Sequence, residues 1–285
     1  MTAKLPPPPP AARPPAPAPN GAHPAAPAPT KKYGVTTGRQ TGAQRVLIYG
    51  PGGVGKSELA SLSPNPIFLD LENGSRSFDV ARANNVETFA DVRAWLASDE
   101  PDPFSTIIID TGTKLEEMGQ AHIIATVPHE KPGVKITGIE SYGFGKGYRF
   151  LYEAFSLVLQ DCDRLIRKGK HVILITHSCT NEAPNPTGEN WLRYEPRLQH
   201  PKKENSIRER AFGWADHVLF IGYDVAATKD GKGVGSGSRT IYTQELPSHV
   251  AKTRGAFDAQ QEVPASMSYG KGDGSIWSLI LGGGK

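Results

Sequence analysis

Short apolar runs alternate with longer segments of helical periodicity from residue 45 onward. Runs of five or six residues, rich in branched apolar side chains and bounded by turn signals, predict buried strands. There are five: RVLIY (45–49), PIFLD (66–70), STIIID (105–110), HVILIT (171–176) and HVLFIG (217–222). The segments between them predict helices at about 56–62, 88–98, 112–126 and 148–168, and the last is the most clearly amphipathic.

Strands that alternate with helices require crossover connections, which are right-handed and place the helices over both faces of a mostly parallel sheet. The sequence therefore predicts an α/β fold. Two further runs near the end of the chain, RTIYTQ (239–244) and SIWSLIL (275–281), predict short C-terminal β segments. The stretch between residues 127 and 147 is rich in Gly and Pro and is predicted to be a loop.

The first 40 residues differ in composition from the rest. Residues 1–30 contain 12 Pro and 9 Ala, too little apolar surface to offset the entropy of ordering, so residues 1–40 predict a disordered arm. The arm carries five basic residues and no acidic one, whereas residues 41–285 carry 27 basic and 29 acidic residues. The high pI thus comes from the arm, and residues 41–285 form the expected folded domain. The arm is either a solubilising extension or a basic tether.

Several classes of protein are excluded by composition. No apolar run approaches the roughly 18–20 residues that span a bilayer, and the N-terminus lacks the apolar core of a signal peptide. Two cysteines, Cys162 and Cys179, cannot form a disulfide framework or a four-cysteine zinc site. The expected location is the cytoplasm, without a membrane partner.

The segment GPGGVGKS follows the first strand and precedes a helix. It matches the Walker A pattern G-x4-G-K-[ST] in the context that the motif requires. Glycines let the backbone turn sharply and direct N–H groups at phosphate oxygens, and the helix N-terminus adds its dipole. Lys56 would lie between the β- and γ-phosphates of ATP, and Ser57 would bind Mg²⁺. The predicted nucleotide-binding residues are Gly50, Pro51, Gly52, Gly53, Val54, Gly55, Lys56 and Ser57.

Asp110 ends the apolar strand TIIID, the position of a Walker B carboxylate, and is predicted to reach Mg²⁺. Its alternative role is to cap the next helix. Many motor ATPases have a second acid directly after this one, but here Thr111 and Gly112 come next. The group that orients the attacking water must therefore come from elsewhere.

Two carboxylates in FLDLENG are candidates for that group, because they end the second strand. Glu72 is the preferred catalytic base and Asp70 the alternative, while the plain structural role for both is to stabilise the turn before Gly74. His177 follows the fourth strand and could contact the γ-phosphate, a role that Thr176 could share. The alternative for His177 is a buried, hydrogen-bonded core residue.

These elements in this order resemble the RecA-like recombinase core of P-loop NTPases. The chain looks still more like phage nucleotide-binding AAA-type ATPases, a group that includes RecA-like single-strand annealing proteins. The resemblance covers about residues 44–265 and rests on GPGGVGKS, FLDLENG, TIIIDT, YGFGKGY (142–148), ITHS, RAFGWADHVLF (210–220) and AKTRG (251–255). Asn73 in LDLENG departs from the D-x-E-G-like segment of the recombinases.

The resemblance implies an ATP-dependent protein that binds single-stranded DNA, promotes annealing or strand exchange, and assembles into a ring or filament. It also implies that Lys252 and Arg254 reach a nucleotide, in a neighbouring subunit, as cations that stabilise transition-state charge. Their alternative is an ordinary exposed loop. A single-strand-binding protein is a partner that the family suggests.

Two segments combine cations with aromatic residues, as single-strand binding requires. The first, 129–149, offers Lys131, Lys135, Tyr142, Phe144, Lys146 and Arg149. The second, 191–210, offers Arg193, Arg197, Lys202 and Lys203 but is diluted by three glutamates. Both could instead be solvated surface, and the net charge of −2 in residues 41–285 weakens the case for phosphate binding.

Two other functions remain open from the sequence. A small-molecule kinase could share the P-loop core, although no Arg-rich lid segment stands out. A nucleotide-gated assembly protein would bind ATP with little turnover and recruit partners through the Pro-rich arm. A transporter ATPase is not indicated, because the chain has no LSGGQ-like signature.

Overall fold

The computed structural model describes residues 34–38, 40–185, 187–201, 204–227 and 233–282, with backbone alone for 225–227 and 233–236. The chain divides into two units, Met1–Gln40 and Thr41–Lys285. The few described residues of the first unit form no helix or strand. The predicted disorder of the arm therefore falls mostly outside the described residues, and every described helix and strand belongs to the second unit.

The second unit is built on a mixed sheet in which the parallel strands form the centre. Its strands are β1 (Arg45–Gly50), β2 (Pro66–Asp70), β3 (Ala81–Arg82), β4 (Thr106–Asp110), β5 (His171–Ala183), β6 (Trp191–Pro196), β7 (His217–Ala227), β8 (Gly233–Tyr242) and β9 (Ser266–Ser268). The order is β3-β2-β4-β5-β1-β7-β8-β9, with β6 paired to β5. Strands β8 and β9 and the β5–β6 hairpin are antiparallel. Strand β5 thus lies between β1 and β4.

Helices cover both faces of the sheet, as the alternating pattern predicts. They are α1 (Lys56–Ser61), α2 (Phe89–Ala97), α3 (Gly112–Thr126), α4 (Lys146–Arg167), α5 (Ile207–Trp214) and α6 (Ser275–Ile280), with a short 3-10 helix at Ile139–Tyr142. Leu47 and Tyr49 pack with α2 to α5 on one face, while Val46 and Ile48 pack with α1 and α6 on the other. The alternation of side chains along β1 explains the two cores.

Local sequence sets where two of the helices begin. The Thr88 side chain accepts a hydrogen bond from the Asp91 backbone, and the Asp91 carboxylate accepts one from the Thr88 backbone, which forms a capping box before α2. Thr111 caps α3 by accepting a hydrogen bond from the Lys114 backbone. This second cap fixes the chain directly after Asp110, at the end of β4.

The structure confirms the predicted α/β class and the mostly parallel sheet, with antiparallel strands toward the C-terminus. The prediction of a β segment at 275–281 is wrong, because these residues form α6. Ile276, Trp277 and Ile280 share one face of that helix and are buried, and the Trp277 indole donates to the Leu59 carbonyl at 2.7 Å. A short apolar run does not distinguish a buried strand from a buried helix.

Candidate active site

The loop between β1 and α1 turns back over the end of the sheet. Gly53 and Gly55 have φ of 74° and 99°, which L side chains rarely adopt, and Gly55 directly precedes α1. Gly50 is required for a different reason, since a Cβ there would lie 2.3 Å from the Ile221 carbonyl oxygen of β7. The predicted Walker A residues therefore form a loop whose backbone is shaped to receive an anion.

The Lys56 side chain folds back into this loop and is nearly buried. Its Nζ donates to the carbonyl oxygens of Gly50, at 3.0 Å, and Pro51, at 2.8 Å. Burial lowers the pKa of Lys56, while the negative charges of Asp110 and Glu72 oppose that shift. An ammonium group with two carbonyl partners keeps one donor for a further acceptor, so the residues fit a phosphate group.

Ser57 and Asp110 meet beside the loop. The Ser57 hydroxyl donates to Asp110 Oδ2 at 2.5 Å, which joins the start of α1 to the end of β4. Burial raises the pKa of Asp110 to about 6, with the Ser57 hydrogen bond acting in the opposite direction. A hydroxyl and one carboxylate are the protein ligands that Mg²⁺ takes when phosphate oxygens supply the rest. The two side chains fit the predicted metal site.

No larger metal cluster accompanies this pair: within the described parts of the chain, no three His, Cys, Asp or Glu side chains are placed to hold a metal ion together. A divalent cation held by Ser57 and Asp110 would also take oxygen ligands from the phosphates of a bound nucleotide.

The Glu72 carboxylate lies at the mouth of the same cleft. Its Oε1 accepts a hydrogen bond from the Thr111 hydroxyl at 2.7 Å, and His177 Nε2 lies 3.3 Å from both carboxylate oxygens. The structure thus brings together two residues, Glu72 and His177, that are 105 positions apart in the sequence. A carboxylate held in this way can accept a proton from water that faces the phosphate site.

Asp70 has a different role from Glu72. Its carboxylate accepts hydrogen bonds from the Gly74 and Ser75 backbones and from the Ser75 hydroxyl. It therefore stabilises the turn after β2, which was the structural alternative for this residue. Thr176 is fully buried, while His177 lines the cleft, so His177 is the better placed of the two to contact a nucleotide.

The C-terminal strands contribute residues to the cleft that the sequence motifs did not indicate. Arg239 donates to the Val54 carbonyl at 3.1 Å, lies 3.6 Å from Glu58, and stacks over the Tyr269 ring. The Tyr269 hydroxyl donates to the Gly55 carbonyl at 2.9 Å. Lys271 lines the cleft, whose volume is about 380 Å³. The glycine-rich stretch around Tyr269 is the one local signal that could have indicated this contact.

Lys252 and Arg254 do not lie at this cleft. Lys252 pairs with Val218 near the start of β7 and stacks over the Phe212 ring, and Arg254 forms a 3.0 Å ion pair with Asp216. Asp216 also accepts a hydrogen bond from the backbone of Arg45, the first residue of β1. The P-loop follows the last residue of β1, whereas the two cations lie near its first residue. They are therefore at the opposite end of the strands from their own chain's P-loop. A contact with a neighbouring subunit's nucleotide stays a prediction.

The first predicted DNA segment is more ordered than expected. It contains the 3-10 helix and the first turn of α4, and Tyr142 is buried with its hydroxyl donating to the Ile123 and Val127 carbonyls. The prediction that Tyr142 stacks on a base is therefore corrected. Lys146 pairs with Glu130 and Arg149 with Glu153, while Lys131, Lys135 and Phe144 are exposed.

The second predicted DNA segment also offers fewer free cations than the sequence predicts. Arg193 forms ion pairs with Glu195 and Glu245, at 2.7 and 3.1 Å, so its positive charge is already balanced by carboxylates of the protein. Arg197 is exposed, and its backbone donates to the His177 carbonyl at 2.8 Å. Lys202 and Lys203 lie outside the described residues. Arg197 therefore lies directly beside His177, a residue of the cleft.

The strand order and the cleft define an α/β domain with a P-loop. Residues 42–255 match the family model described as AAA domain, and the chain belongs to that family. The domain is thus one that binds and hydrolyses nucleotides. Among the helices of the described residues, none combines the length and apolarity needed to cross a bilayer.

Comparison with solved structures gives a distant similarity. The chain is similar to a KaiC-like protein from the hyperthermophilic archaeon Pyrococcus horikoshii OT3, with 12% identity and a TM-score of 0.43 over 80% of this chain and 85% of that one. At this level, the fold assignment depends on the strand order and the P-loop. No curated protein shows significant similarity to the chain.

Proposed function

We propose that the chain is a cytoplasmic, Mg²⁺-dependent ATPase that binds single-stranded DNA and promotes annealing or strand exchange in phage-type recombination. The observation that carries the ATPase part is the position of Glu72, which is held by Thr111 and His177 beside the Ser57–Asp110 pair. A cleft that only bound nucleotide would not need a carboxylate oriented at its mouth.

Each residue of the cleft has a distinct part in hydrolysis. The loop amides and Lys56 hold the phosphates, and Lys56 offsets the charge that develops on them. Mg²⁺, held by Ser57 and Asp110, would neutralise the β- and γ-phosphate oxygens. Glu72 accepts a proton from the attacking water as the new bond to phosphorus forms and the bond to the β-phosphate oxygen breaks. His177 orients the Glu72 carboxylate.

The continuity of β5 supports a link between this chemistry and a second ligand. Strand β5 carries His177 at the cleft and then continues into the β5–β6 hairpin, so a ligand on the hairpin would act on the strand that positions His177. The exposed Arg197 lies at the base of this hairpin, and Lys131, Lys135 and the fully exposed Phe144 lie on the other candidate surface. Cations and free aromatic rings are what a single strand requires.

Assembly into a ring or filament would give the two remaining cations a role. The Arg254 side chain is 62% exposed despite its ion pair with Asp216, and Lys252 lies beside it. In an assembly that places this edge of the sheet against the next subunit's P-loop, both cations would reach that nucleotide. Hydrolysis would then depend on protein concentration.

The test is ATP hydrolysis by the purified chain at low salt, with and without a single-stranded oligonucleotide, and with a duplex of equal length as the control. We expect several-fold stimulation by the single strand, little by the duplex, and loss of the stimulation as salt rises. Lys56→Ala serves as the blank. Hydrolysis that the single strand leaves unchanged would contradict the DNA part of the proposal. Phosphate transfer to a nucleoside in place of water would indicate a kinase.

A further inference from the structure

A second cavity lies beside the P-loop and shares no lining residue with the nucleotide cleft. Its volume is about 570 Å³, within the range of sites that bind small molecules. Strands β6, β7 and β8 and the segment before Val250 form its walls, and Pro51 of the P-loop closes one side. The rings that line it are Tyr194, Phe220, Tyr223, Tyr242 and His249.

The floor of this aromatic pocket is a fixed stack of rings. Phe220 is buried, with Tyr194 stacked on it at 5.2 Å, His249 at 5.0 Å and Tyr242 at 5.8 Å between ring centroids. From below, the Tyr49 hydroxyl donates to the carbonyl oxygens of Tyr194 and Val250. These contacts hold the pocket in shape without a ligand, which lowers the entropy cost of binding.

Two of the rings are left unusually open. Tyr194 and Tyr223 are 41% and 43% exposed, although Tyr194 stacks on the buried Phe220. Large exposed rings beside a cavity indicate a surface that another flat ring can cover. A planar ligand that entered the pocket would stack on them and remove their free faces from water.

The charge of the pocket argues against a phosphate as that ligand. Among the described lining residues, Asp224 is the only charged side chain, and it accepts a hydrogen bond from the Thr240 hydroxyl. His249 adds no positive charge, because burial lowers its pKa. A carboxylate without a nearby lining cation repels phosphate but tolerates a neutral ring.

We propose that this aromatic pocket binds an unpaired base of single-stranded DNA by stacking, with the phosphates of the strand lying outside it. The proposal rests on the proposed function above and deepens it. Pro51 forms a wall of the pocket, and its carbonyl oxygen accepts a hydrogen bond from the Lys56 ammonium group. The Tyr223 hydroxyl also lies near the P-loop, 3.8 Å from the position that a Cβ atom would take at Gly53. A base in the pocket would therefore contact the loop that holds the nucleotide.

The experiment compares two fluorescent oligonucleotides of equal length, oligo(dT) and an abasic strand with the same number of phosphates. Binding is measured for the wild type, Tyr194→Ala, Tyr223→Ala and the matched control Tyr194→Phe, which keeps the ring. We expect the wild type to prefer oligo(dT). Each Ala variant should lose about 5- to 150-fold in affinity for oligo(dT) and little for the abasic strand.

The outcomes separate the pocket from the wider proposal. Tyr194→Phe should bind as the wild type does and keep its thermal midpoint, and each Ala variant should still unfold in one cooperative thermal transition, which shows that it is folded. If the wild type binds both strands equally, or the Ala variants lose affinity for both, DNA binding stands and the base pocket is overturned. If the wild type binds neither strand, the single-strand proposal fails and the pocket fails with it. Weaker ATP binding by Tyr194→Ala without DNA would assign the pocket to the nucleotide instead.

Discussion

The nucleotide cleft and the aromatic pocket share one wall, the P-loop, and differ in almost everything else. The cleft is polar, and three of its key groups carry charge: Lys56, Asp110 and Glu72. The pocket is a stack of rings around Phe220, with Asp224 as the one carboxylate among its described lining residues. One end of the sheet thus carries a cleft lined by several charged groups and, beside the same loop, a pocket lined mainly by aromatic rings.

The two regions also differ in how the sequence encodes them. The cleft takes most of its groups from short contiguous motifs that end β1, β2 and β4. The pocket takes single residues from positions 194, 220, 223, 242 and 249, each unremarkable in its own surroundings. The register of β7 against β8 places Phe220 opposite Tyr242, and a separate bridge pairs Tyr194 with His249.

Lys56→Ala should give the largest effect and should be confined to the cleft. The change removes the cation from the phosphate site, and we expect kcat/KM for ATP to fall by at least about 10³-fold. The thermal midpoint should change little. Steady-state hydrolysis checks this, with Lys271→Ala as the control that removes a positive charge elsewhere in the same cleft. An equal loss in both variants would contradict a special position for Lys56.

Glu72→Gln should separate binding from turnover. The amide keeps the shape and the Thr111 contact but cannot accept a proton, so we expect turnover to fall about 10²- to 10³-fold with ATP affinity nearly unchanged. Asp70→Asn is the matched control, two residues away. It should lower the thermal midpoint through the turn at Gly74 and Ser75 while turnover by the folded protein stays within a few-fold. Normal turnover in Glu72→Gln would place the base elsewhere.

The pKa of Asp110, about 6 against an ordinary 3.8, predicts a pH dependence of the cleft. The folded chain holds this proton more tightly than the unfolded chain, so stability without ligand falls as pH rises from about 4 to 6. Mg²⁺ needs the carboxylate, so apparent Mg²⁺ affinity in the presence of ATP should fall about tenfold per pH unit below about 6 and be level above it. Calorimetric titration at several pH values checks this. A level profile down to pH 5 would contradict it.

The same residue offers a matched variant for that prediction. Asp110→Asn removes the buried charge while an oxygen remains to accept the Ser57 hydrogen bond. At pH 8 the variant without ligand should therefore melt higher, by on the order of 3 °C, and bind Mg²⁺ and ATP poorly at every pH. A thermal midpoint below that of the wild type at pH 8 would show that the buried Asp110 charge does not destabilise the fold.

Tyr49→Phe should give the smallest effect and tests whether the two regions are mechanically separate. Tyr49 ends the core part of β1, and its hydroxyl supports the floor of the aromatic pocket. Loss of the hydroxyl, whose single proton is shared between two carbonyl oxygens, should lower the free energy of unfolding by about 1–2 kcal/mol in chemical denaturation. ATP turnover should stay within twofold of the wild type. A large loss of turnover would show that the pocket floor and the P-loop are coupled through β1.

The predictable part of the fold is the part whose pattern is local. The five core strands and α3 were predicted within a residue at their starts, because each is fully buried or strongly periodic and is bounded by turn signals. Beyond His177, β5 runs on to Ala183 with polar, half-exposed residues, and only its pairing with β6 makes it a strand. Strands β3 and β9 have two and three residues, too few to carry a period.

The candidate site divides along the same line. Lys56, Ser57, Asp110 and Glu72 follow strand ends, where the parallel topology gathers them at one edge. Arg239, in β8, and Tyr269, just after β9, reach the P-loop through antiparallel pairing, and the glycine-rich stretch around Tyr269 is the only local signal of this contact. The burial of Tyr142 could not be predicted from the sequence for a related reason. Its hydrogen-bond partners are carbonyls at the end of α3, which no local pattern connects to Tyr142.

The measurement that tests the central claim most directly is the identity of the nucleotide retained by the protein. The wild type and Glu72→Gln are incubated with labelled ATP and Mg²⁺, separated from free nucleotide, and the bound species is identified by chromatography. The account predicts intact ATP, close to one per chain, on Glu72→Gln and ADP on the wild type. ADP on Glu72→Gln, or no bound nucleotide on either protein, would contradict it.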